Sequence, residues 1–502
     1  MHDRGVAMNG IAMKLSLLLL QVIPCTVALT STGRLVTGNF HSSSQLYSST
    51  ASSSQASIAP TDSKTDRLQK IIHWRGEKEH GNSIQLRHYE FKSALASIIE
   101  GEQSNTDDTP IEPDISFTAA LSSTFESANE MSEYQKDSYE NAMQYINEEN
   151  LSFSNNFDLI QETVQRCALV RSLFEIVSEG ETFEELARNA IQSKNLNDMM
   201  KNGSSANLSW RVRLRQYGDS AKAEKQKQYG KKMRSPMKDE REAINQMKDL
   251  FMELAGPVDL KNADISLYIF EGLKDKKKVL ARLLTRGANT SSIAPKTRIC
   301  ITNTPLCPLA SFTMNNVGRV KNNFKVLDPF CGSCGILLAT TMIEPSVQTV
   351  GIEIAHNGAV NRDNIMKDFS SRNLTLPAAI IKGDAMDKSV RDKARAAVGN
   401  EPFDVIITDP PYNIREKILS CPDSPLINLV KCIASDRKKE QRLLALGGRL
   451  VVFVPNMDGD DIAEVMPNEI ALKDAGLKFV NMVEQPLNDS LSRWLVEYKC
   501  IA

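Results

Sequence analysis

The sequence predicts an α/β protein in which a mostly parallel sheet, covered by helices on both faces, follows an α+β amino-terminal region. Three observations point there. From Phe324 onward, apolar strand-like runs alternate with helix-length segments: Phe324–Phe330, Thr349–Ile354, Ala378–Gly383, Phe403–Thr408, Arg449–Val454, Leu477–Val483 and Trp494–Tyr498. Such alternation builds parallel strands with crossover helices. Acidic residues (Asp328, Glu353 and Asp384) stand at the ends of the first three runs, where open α/β sheets bind ligands. Upstream, helical and period-two patterns are mixed without that regular alternation.

A chain of 502 residues, 41% hydrophobic, has room for two or three domains, each with an ordinary core. Sixty Lys and Arg against 62 Asp and Glu leave no global charge for holding a polyanion, so any such partner must meet a local patch. Nine cysteines, sparse and irregular, read as free thiols in a reducing compartment. No histidine joins cysteines at metal-ligand spacing, and no metal is predicted.

Residues 1–65 form a separate segment. No Asp or Glu occurs from Arg4 to Thr61, and a short apolar run, Leu15 to Leu29, follows Lys14 and precedes a Ser- and Thr-rich stretch. This pattern fits an import leader; the other reading is a disordered tail behind a misassigned start. Ser16, Gln21, Pro24 and Thr26 interrupt the run too often for a membrane span.

Residues 66–150 are expected to hold a small α+β unit, with Phe91, Leu95, Ile98 and Ile99 at helical spacing. Between Glu100 and Asn150, thirteen acidic residues meet one basic residue, Lys136, so a solvated insertion or linker is expected there. Residues 151–310 then open on two expected helices: Val164, Leu169, Val170, Leu173, Phe174 and Ile176, and, past Gly180, Phe183, Leu186, Ala187 and Ile191. Next, Arg211, Arg213 and Arg215 alternate with Val212 and Leu214, a strand with three guanidiniums on one face. Lys222, Lys225, Lys227, Lys231, Lys232 and Arg234 continue the positive run, interleaved with Trp210, Tyr217 and Tyr229. The stripe suits phosphate contact with base stacking, or simply a solvated face. A further strand is expected at Ile265 to Phe270.

Residues 311–502 carry the chemistry. Asp328 begins Asp-Pro-Phe330-Cys-Gly332-Ser-Cys-Gly335, a first strand-to-helix turn whose glycines let backbone approach a ligand closely. A carboxylate at that turn repels a pyrophosphate and suits the cationic end of S-adenosylmethionine. Glu353 stands where a second-strand acid receives ribose hydroxyls, and Asp384 where a third can meet the adenine edge. Cys331 and Cys334 have redox spacing but read better as small residues lining this loop.

The fourth run ends in Thr408-Asp409-Pro410-Pro411-Tyr412. A base amine is a poor nucleophile because its lone pair is delocalised into the ring, so its N–H groups must be held by acceptors that favour a pyramidal nitrogen. The Asp409 carboxylate and the Pro410 carbonyl can do this, in a turn stiffened by proline. Tyr412 can stack on a base removed from its helical context. The alternative is a Pro-Pro loop with Asp409 as a cap and Tyr412 as rim packing.

With these residues in view, the sequence resembles the catalytic subunits of the tRNA guanosine-10 N2-methyltransferase family. The likeness lies in Asp328-Pro-Phe-Cys-Gly-Ser, Asp409-Pro-Pro-Tyr-Asn-Ile-Arg-Glu416, Gly447-Gly-Arg-Leu-Val451, Glu484-Gln-Pro-Leu-Asn488 and Leu491-Ser-Arg-Trp-Leu495. Upstream, Arg166-Cys-Ala-Leu-Val-Arg-Ser-Leu-Phe-Glu175 and Val258-Asp-Leu-Lys-Asn262 resemble its THUMP-type RNA-binding region. The resemblance implies a Rossmann-like, seven-stranded class I methyltransferase domain behind a ferredoxin-like and THUMP region that grips tRNA. It implies S-adenosylmethionine as cofactor, bound through Asp328, Phe330, Gly332, Gly335, Glu353 and Asp384. Catalysis falls to Asp409, Pro410, Pro411 and Tyr412, and Arg415 joins Arg211, Arg213, Arg215, Lys231 and Lys232 in substrate binding. A small zinc-binding activator subunit is implied as heterodimer partner, with the cytoplasm as location. One position departs: Cys334 stands where the family usually has glycine, which matters if that residue takes positive φ. Methylation of adenine N6 or of a protein glutamine uses the same acceptor arrangement, and a tRNA-binding protein with a decayed cofactor site is the non-enzyme alternative.

Overall fold

A computed structural model of the chain describes residues 69–75, 84–102, 113–124, 128–129, 131–147, 157–193, 196, 208–221, 236–275, 277–302, 304–355, 360–412, 424–438, 441–457, 461–488 and 491–502. The expected leader, Lys222 to Arg234 and Arg415 lie outside these residues. Among the described residues no helix is long and apolar enough to cross a membrane.

The amino-terminal strands are β1 (Lys70–Trp74), β2 (Ser116–Ala119), β3 (Met143–Asn147), β4 (Val170–Gly180), β5 (Trp210–Gln216), β6 (Ile265–Glu271) and β7 (Lys278–Arg286). They form one sheet in the order β2-β3-β1-β4-β7-β6-β5. Because β1 is hydrogen-bonded to β3 on one side and β4 on the other, the expected boundary at residue 150 falls between strands that share one sheet. The helix α1 (Ile84–Glu102) forms as its periodicity predicts, burying Phe91, Leu95 and Ile99.

Two expectations need correction. The acidic stretch is not wholly a solvated insertion, since β2, the helix α2 (Glu133–Glu140) and β3 lie within it. Ile115, Leu121, Met143 and Ile146 supply enough buried surface to anchor these elements, and Ser132 and Gln135 form a reciprocal capping box at the start of α2. The first expected helix of residues 151–310 is instead the short helix α3 (Phe157–Arg166) followed by β4. Val170, Leu173, Phe174, Ile176 and Val177 are buried on both faces of a central strand. A strand covered on both sides loses its alternation and mimics a helical pattern. Past Gly180 the second expected helix forms as α4 (Phe183–Gln192). Pro236–Gln246 (α5) and Lys248–Glu253 (α6) complete this half.

The second sheet contains β8 (Lys325–Asp328), β9 (Gln348–Glu353), β10 (Ala379–Lys382), β11 (Phe403–Thr408), β12 (Leu444–Met457), β13 (Leu477–Asn488) and β14 (Leu491–Cys500). These are the seven runs read from the sequence. Their order is β10-β9-β8-β11-β12-β14-β13; β8 to β12 pair in parallel, and β14 runs antiparallel to both its neighbours. Alternate residues enter opposite layers. Val326, Val405, Ile407, Val451 and Phe453 pack toward α7 (Pro308–Val317), α8 (Gly335–Ile343) and α9 (Arg362–Ser370). Leu327, Ile406, Leu450, Val452 and Val496 pack toward α10 (Lys388–Ala396), α11 (Pro425–Lys438) and α12 (Glu469–Ala475). Period-two alternation with both sides apolar is what a sheet covered on both faces requires. This is the Rossmann-like class I methyltransferase architecture.

The second unit begins before the expected residue 311. Arg298 pairs with the buried Asp368 of α9 at 2.7 Å, and the Ile299 and Cys300 amides donate to the same carboxylate. The two halves meet along α1 and α7. Glu90, fully buried, accepts hydrogen bonds from the amides of Ala168 and Leu169, from Asn316 Nδ2 and from Thr313 Oγ1. Arg166 Nε donates to Asn316 Oδ1 at 2.9 Å, and Glu100 pairs with Arg319 and Lys321.

Candidate active site

Strand order locates the cleft. Going outward from β8, the chain visits β9 and β10 on one side, then returns to β11 on the other. At such a switch point the loops after adjacent strands diverge and leave a crevice at their carboxyl ends. The loop after β8 begins with Asp328 and the one after β11 with Asp409.

A side-chain hydrogen bond joins the ends of these two strands. Thr408 Oγ1 donates to Asp328 Oδ1 at 2.8 Å, and the Phe330 amide donates to the same oxygen at 3.1 Å. Asp328 is buried beneath its loop, 1% exposed. Burial pushes its carboxyl up to about 7, against the pull of those two donors, with Asp409 and Glu353 adding to the rise.

The loop curls back on itself through left-handed residues, Gly332 at φ +48° and Cys334 at φ +62°. Among the described residues, an added Cβ at Gly332 would meet only the Thr302 methyl, at 3.4 Å. Cys334, fully buried, is the residue before α8 and holds the conformation in which glycine is at ease. Cys331 is also buried; its contact with Cys334 and its burial push the thiol well up. Both cysteines are therefore packed residues without the exposed, electropositive setting of a redox pair. Gly335 opens α8, and Phe330 is half-buried.

Glu353 ends β9 and faces the same loop. Its Oε2 accepts from the Gly332 amide at 2.9 Å and its Oε1 from the Ala355 amide at 2.9 Å. Asp384, exposed just past β10, accepts from the Met386 amide at 2.8 Å. Glu353 and Asp384 thus present carboxylate acceptors at adjacent strand ends, whereas Asp328, expected from the sequence at the cationic end of the cofactor, is buried beneath its loop. That pair fits a ligand carrying ribose hydroxyls and an exocyclic amine, and opposes a polyphosphate.

On the other side of the crevice, Asp409 and Tyr412 are half-buried and Pro410 is buried. The Tyr412 hydroxyl donates to Asp409 Oδ1. Arg493 of β14, which the sequence reading left without a role, lies 3.8 Å from Asp409 Oδ2 and 3.4 Å from the Tyr412 hydroxyl. Burial, then the Asp409 charge, raises the Tyr412 phenol well above its ordinary range, so it stays a donor. No sequence signal marks Arg493 for this role; the register of the last hairpin, set only in the fold, places it opposite Gln485.

The basic strand forms as read: Trp210, Val212 and Leu214 are buried, and the three arginines share the other face. They do not stand clear of the fold. Arg211 donates to Ser266 Oγ at 2.9 Å and to the Lys261 carbonyl at 3.1 Å; Arg213 reaches the Leu260 carbonyl at 3.3 Å and lies 3.9 Å from Glu240. Arg215 is the exposed member, 5.9 Å above the Tyr268 ring. This β5 strand is an edge of the first sheet, apart from the β8 and β11 loops.

Comparison with known proteins follows this geometry. Residues 295–420 match the profile of UPF0020, an RMKL-like methyltransferase domain. The chain is 27% identical over 375 residues to the tRNA (guanine(10)-N(2))-methyltransferase TRMT11 of Xenopus laevis, covering 68% of this chain and 73% of that protein. The same enzyme of Homo sapiens is 30% identical over 234 residues, 41% of this chain and 49% of that one. A tRNA (guanine(10)-N2)-dimethyltransferase of Methanocaldococcus jannaschii is 29% identical over 109 residues, 22% of this chain and 29% of that protein. The matched part thus spans about half to three quarters of the vertebrate relatives. Among solved structures, TrmN from Thermus thermophilus aligns over 86% of this chain and 99% of its own, with a TM-score of 0.40 and 15% identity.

Proposed function

This chain belongs to the tRNA (guanine-10-N2)-methyltransferase family, and from that membership we propose that it transfers a methyl group from S-adenosylmethionine to the exocyclic amine of guanosine 10 in tRNA. The observation that carries the reading is the Asp409 to Tyr412 corner at the switch point, across one crevice from a loop and strand ends lined with carboxylates.

S-adenosylmethionine, when bound, supplies an electrophilic methyl group on a sulfonium. The residues proposed to hold it are Phe330, Gly332 and Gly335 of the loop, Glu353 for the ribose hydroxyls and Asp384 for the adenine amine. Asp328 supports the loop from below through the Phe330 amide. On the acceptor side, the Asp409 carboxylate and the Pro410 carbonyl take the N–H groups of guanine, leaving the nitrogen lone pair directed at the crevice. Tyr412 stacks on the base, and Pro410 and Pro411 stiffen the turn that aligns both oxygens. The methylated nitrogen must shed a proton, for which Asp409 is the adjoining acceptor.

Arg211, Arg213 and Arg215, with Lys231, Lys232 and Arg415 outside the described residues, are proposed phosphate contacts; Arg215, exposed beside Tyr268, has the strongest structural support. A small zinc-binding activator subunit is the proposed heterodimer partner. The proposed location is the cytoplasm, with organelle import through residues 1–65 as the competing outcome; a fluorescent fusion of the first seventy residues separates the two.

The direct test incubates the chain, with the activator subunit, with tRNA and tritiated S-adenosylmethionine. Label in N2-methylguanosine, cut to a small residual rate in Asp409→Ala, is expected. Label in adenosine or protein, or no label with wild type, would overturn the proposal.

A further inference from the structure

Arg493 is a buried cation, 6% exposed, on the last strand of the second sheet. Buried charge is costly unless paired and hydrogen-bonded. Its supports are specific: Nε donates to Gln485 Oε1 at 2.8 Å across the β13–β14 hairpin, and its guanidinium carbon lies 3.9 Å from the centroid of the Phe453 ring. A planar guanidinium held by an aromatic face and a polar partner loses its freedom to point elsewhere. The remaining prong reaches the corner, 3.8 Å from Asp409 Oδ2 and 3.4 Å from the Tyr412 hydroxyl.

These contacts divide the Asp409 carboxylate. Tyr412 engages Oδ1, and Arg493 faces Oδ2. Where a base amine takes the hydroxyl's place at Oδ1, Arg493 Nη1 remains as that hydroxyl's partner. We infer that Arg493 is a positioning residue: anchored on Phe453 and Gln485, it holds the Asp409 carboxylate and the Tyr412 hydroxyl in the arrangement that receives the amine. The inference rests on the reading of Asp409 as the amine acceptor.

The test compares the full chain with its activator subunit, wild type against Arg493→Gln, Arg493→Lys, Asp409→Ala and Asp409→Ala/Arg493→Gln. Arg493→Gln is expected to lower kcat by roughly a hundredfold while KM for tRNA moves by less than about threefold. Lysine keeps the charge but cannot reach Gln485 and Asp409 together, so an intermediate kcat is expected. The double variant should be no slower than Asp409→Ala, because two residues acting through one carboxylate are not additive. Wild-type kcat in Arg493→Gln, or losses that multiply in the double variant, would overturn the inference. If Arg493→Gln does not fold, wild-type kcat in Arg493→Lys does the same. A readout without substrate separates this from the proposed function: with carbon-labelled tyrosine, the Tyr412 resonance should shift in each folded Arg493 variant, as in Asp409→Ala, even if wild type transfers no methyl group. An unmoved resonance overturns the positioning role alone.

Discussion

The Tyr412 hydroxyl donates a hydrogen bond to Asp409 Oδ1, an oxygen of the carboxylate proposed to receive the base amine. Tyr412→Phe frees that oxygen and keeps the ring, and kcat/KM is expected to change by less than about tenfold, since one hydrogen bond is worth about 1 kcal/mol net. Tyr412→Ala removes the stacking surface, worth about 1–3 kcal/mol per base, and is expected to cost roughly tenfold to a hundredfold. Steady-state kinetics on tRNA checks both, and equal losses in the two variants would contradict the stacking role.

Cys334 offers a test in which the usual order of substitutions reverses. At an ordinary buried position glycine costs more stability than alanine. At φ +62° alanine keeps a conformation that costs about 1–2 kcal/mol, whereas glycine relieves it. Cys334→Gly is therefore expected to be more stable than Cys334→Ala by about 1 kcal/mol, measured by chemical denaturation.

The buried Asp328 makes stability depend on pH. Its folded carboxyl is raised to about 7 from an ordinary 3.8, burial being the largest cause. A raised folded value means that the native state binds the proton more tightly, so its contribution is fully present below the unfolded value and is lost as pH rises through the folded one. Relative to Asp328→Asn, wild type is expected to gain stability as pH falls from about 7 to about 4, with a slope approaching about 1.4 kcal/mol per pH unit. Thermal melts of both proteins across that range check the sign.

Glu90 holds the two halves of the molecule together without a salt bridge of its own in the contacts described above. Four donors converge on it from the segment after α3 and from α7. Glu90→Gln turns one acceptor oxygen into a donor facing other donors, expected to cost about 1–3 kcal/mol; Glu90→Ala should cost more. Calorimetry is expected to show the single transition of wild type broaden or split in Glu90→Ala as the halves uncouple.

How much of this was legible depended on what each residue's signal required. The seven runs of the second sheet were readable because they are mostly apolar and an acid (Asp328, Glu353, Asp384 or Asp409) stands at or beside the end of each of the first four. The same two-sided burial disguised β4, whose Val170, Leu173, Phe174 and Ile176 fall at intervals a helix would also satisfy. The seam at Glu90 was hidden because Glu90, Arg166 and Asn316 are far apart in sequence and individually ordinary. Arg166, read within an RNA-binding motif, proves to tie that region to Asn316. Asp409 and Tyr412 could be named from their motif, but the third member of the corner could not, because Arg493 acquires meaning only when the hairpin register sets it beside Gln485 and over Phe453.

The bond from Thr408 to Asp328 spans the two walls of the crevice, so neither wall has an independent setting. Any occupant that tightens one turn pulls on the other, and by thermodynamic reciprocity the strengthening must be mutual. Attempts to retune this protein for a bulkier donor, leaving its choice of acceptor untouched, would have to cut that tether first.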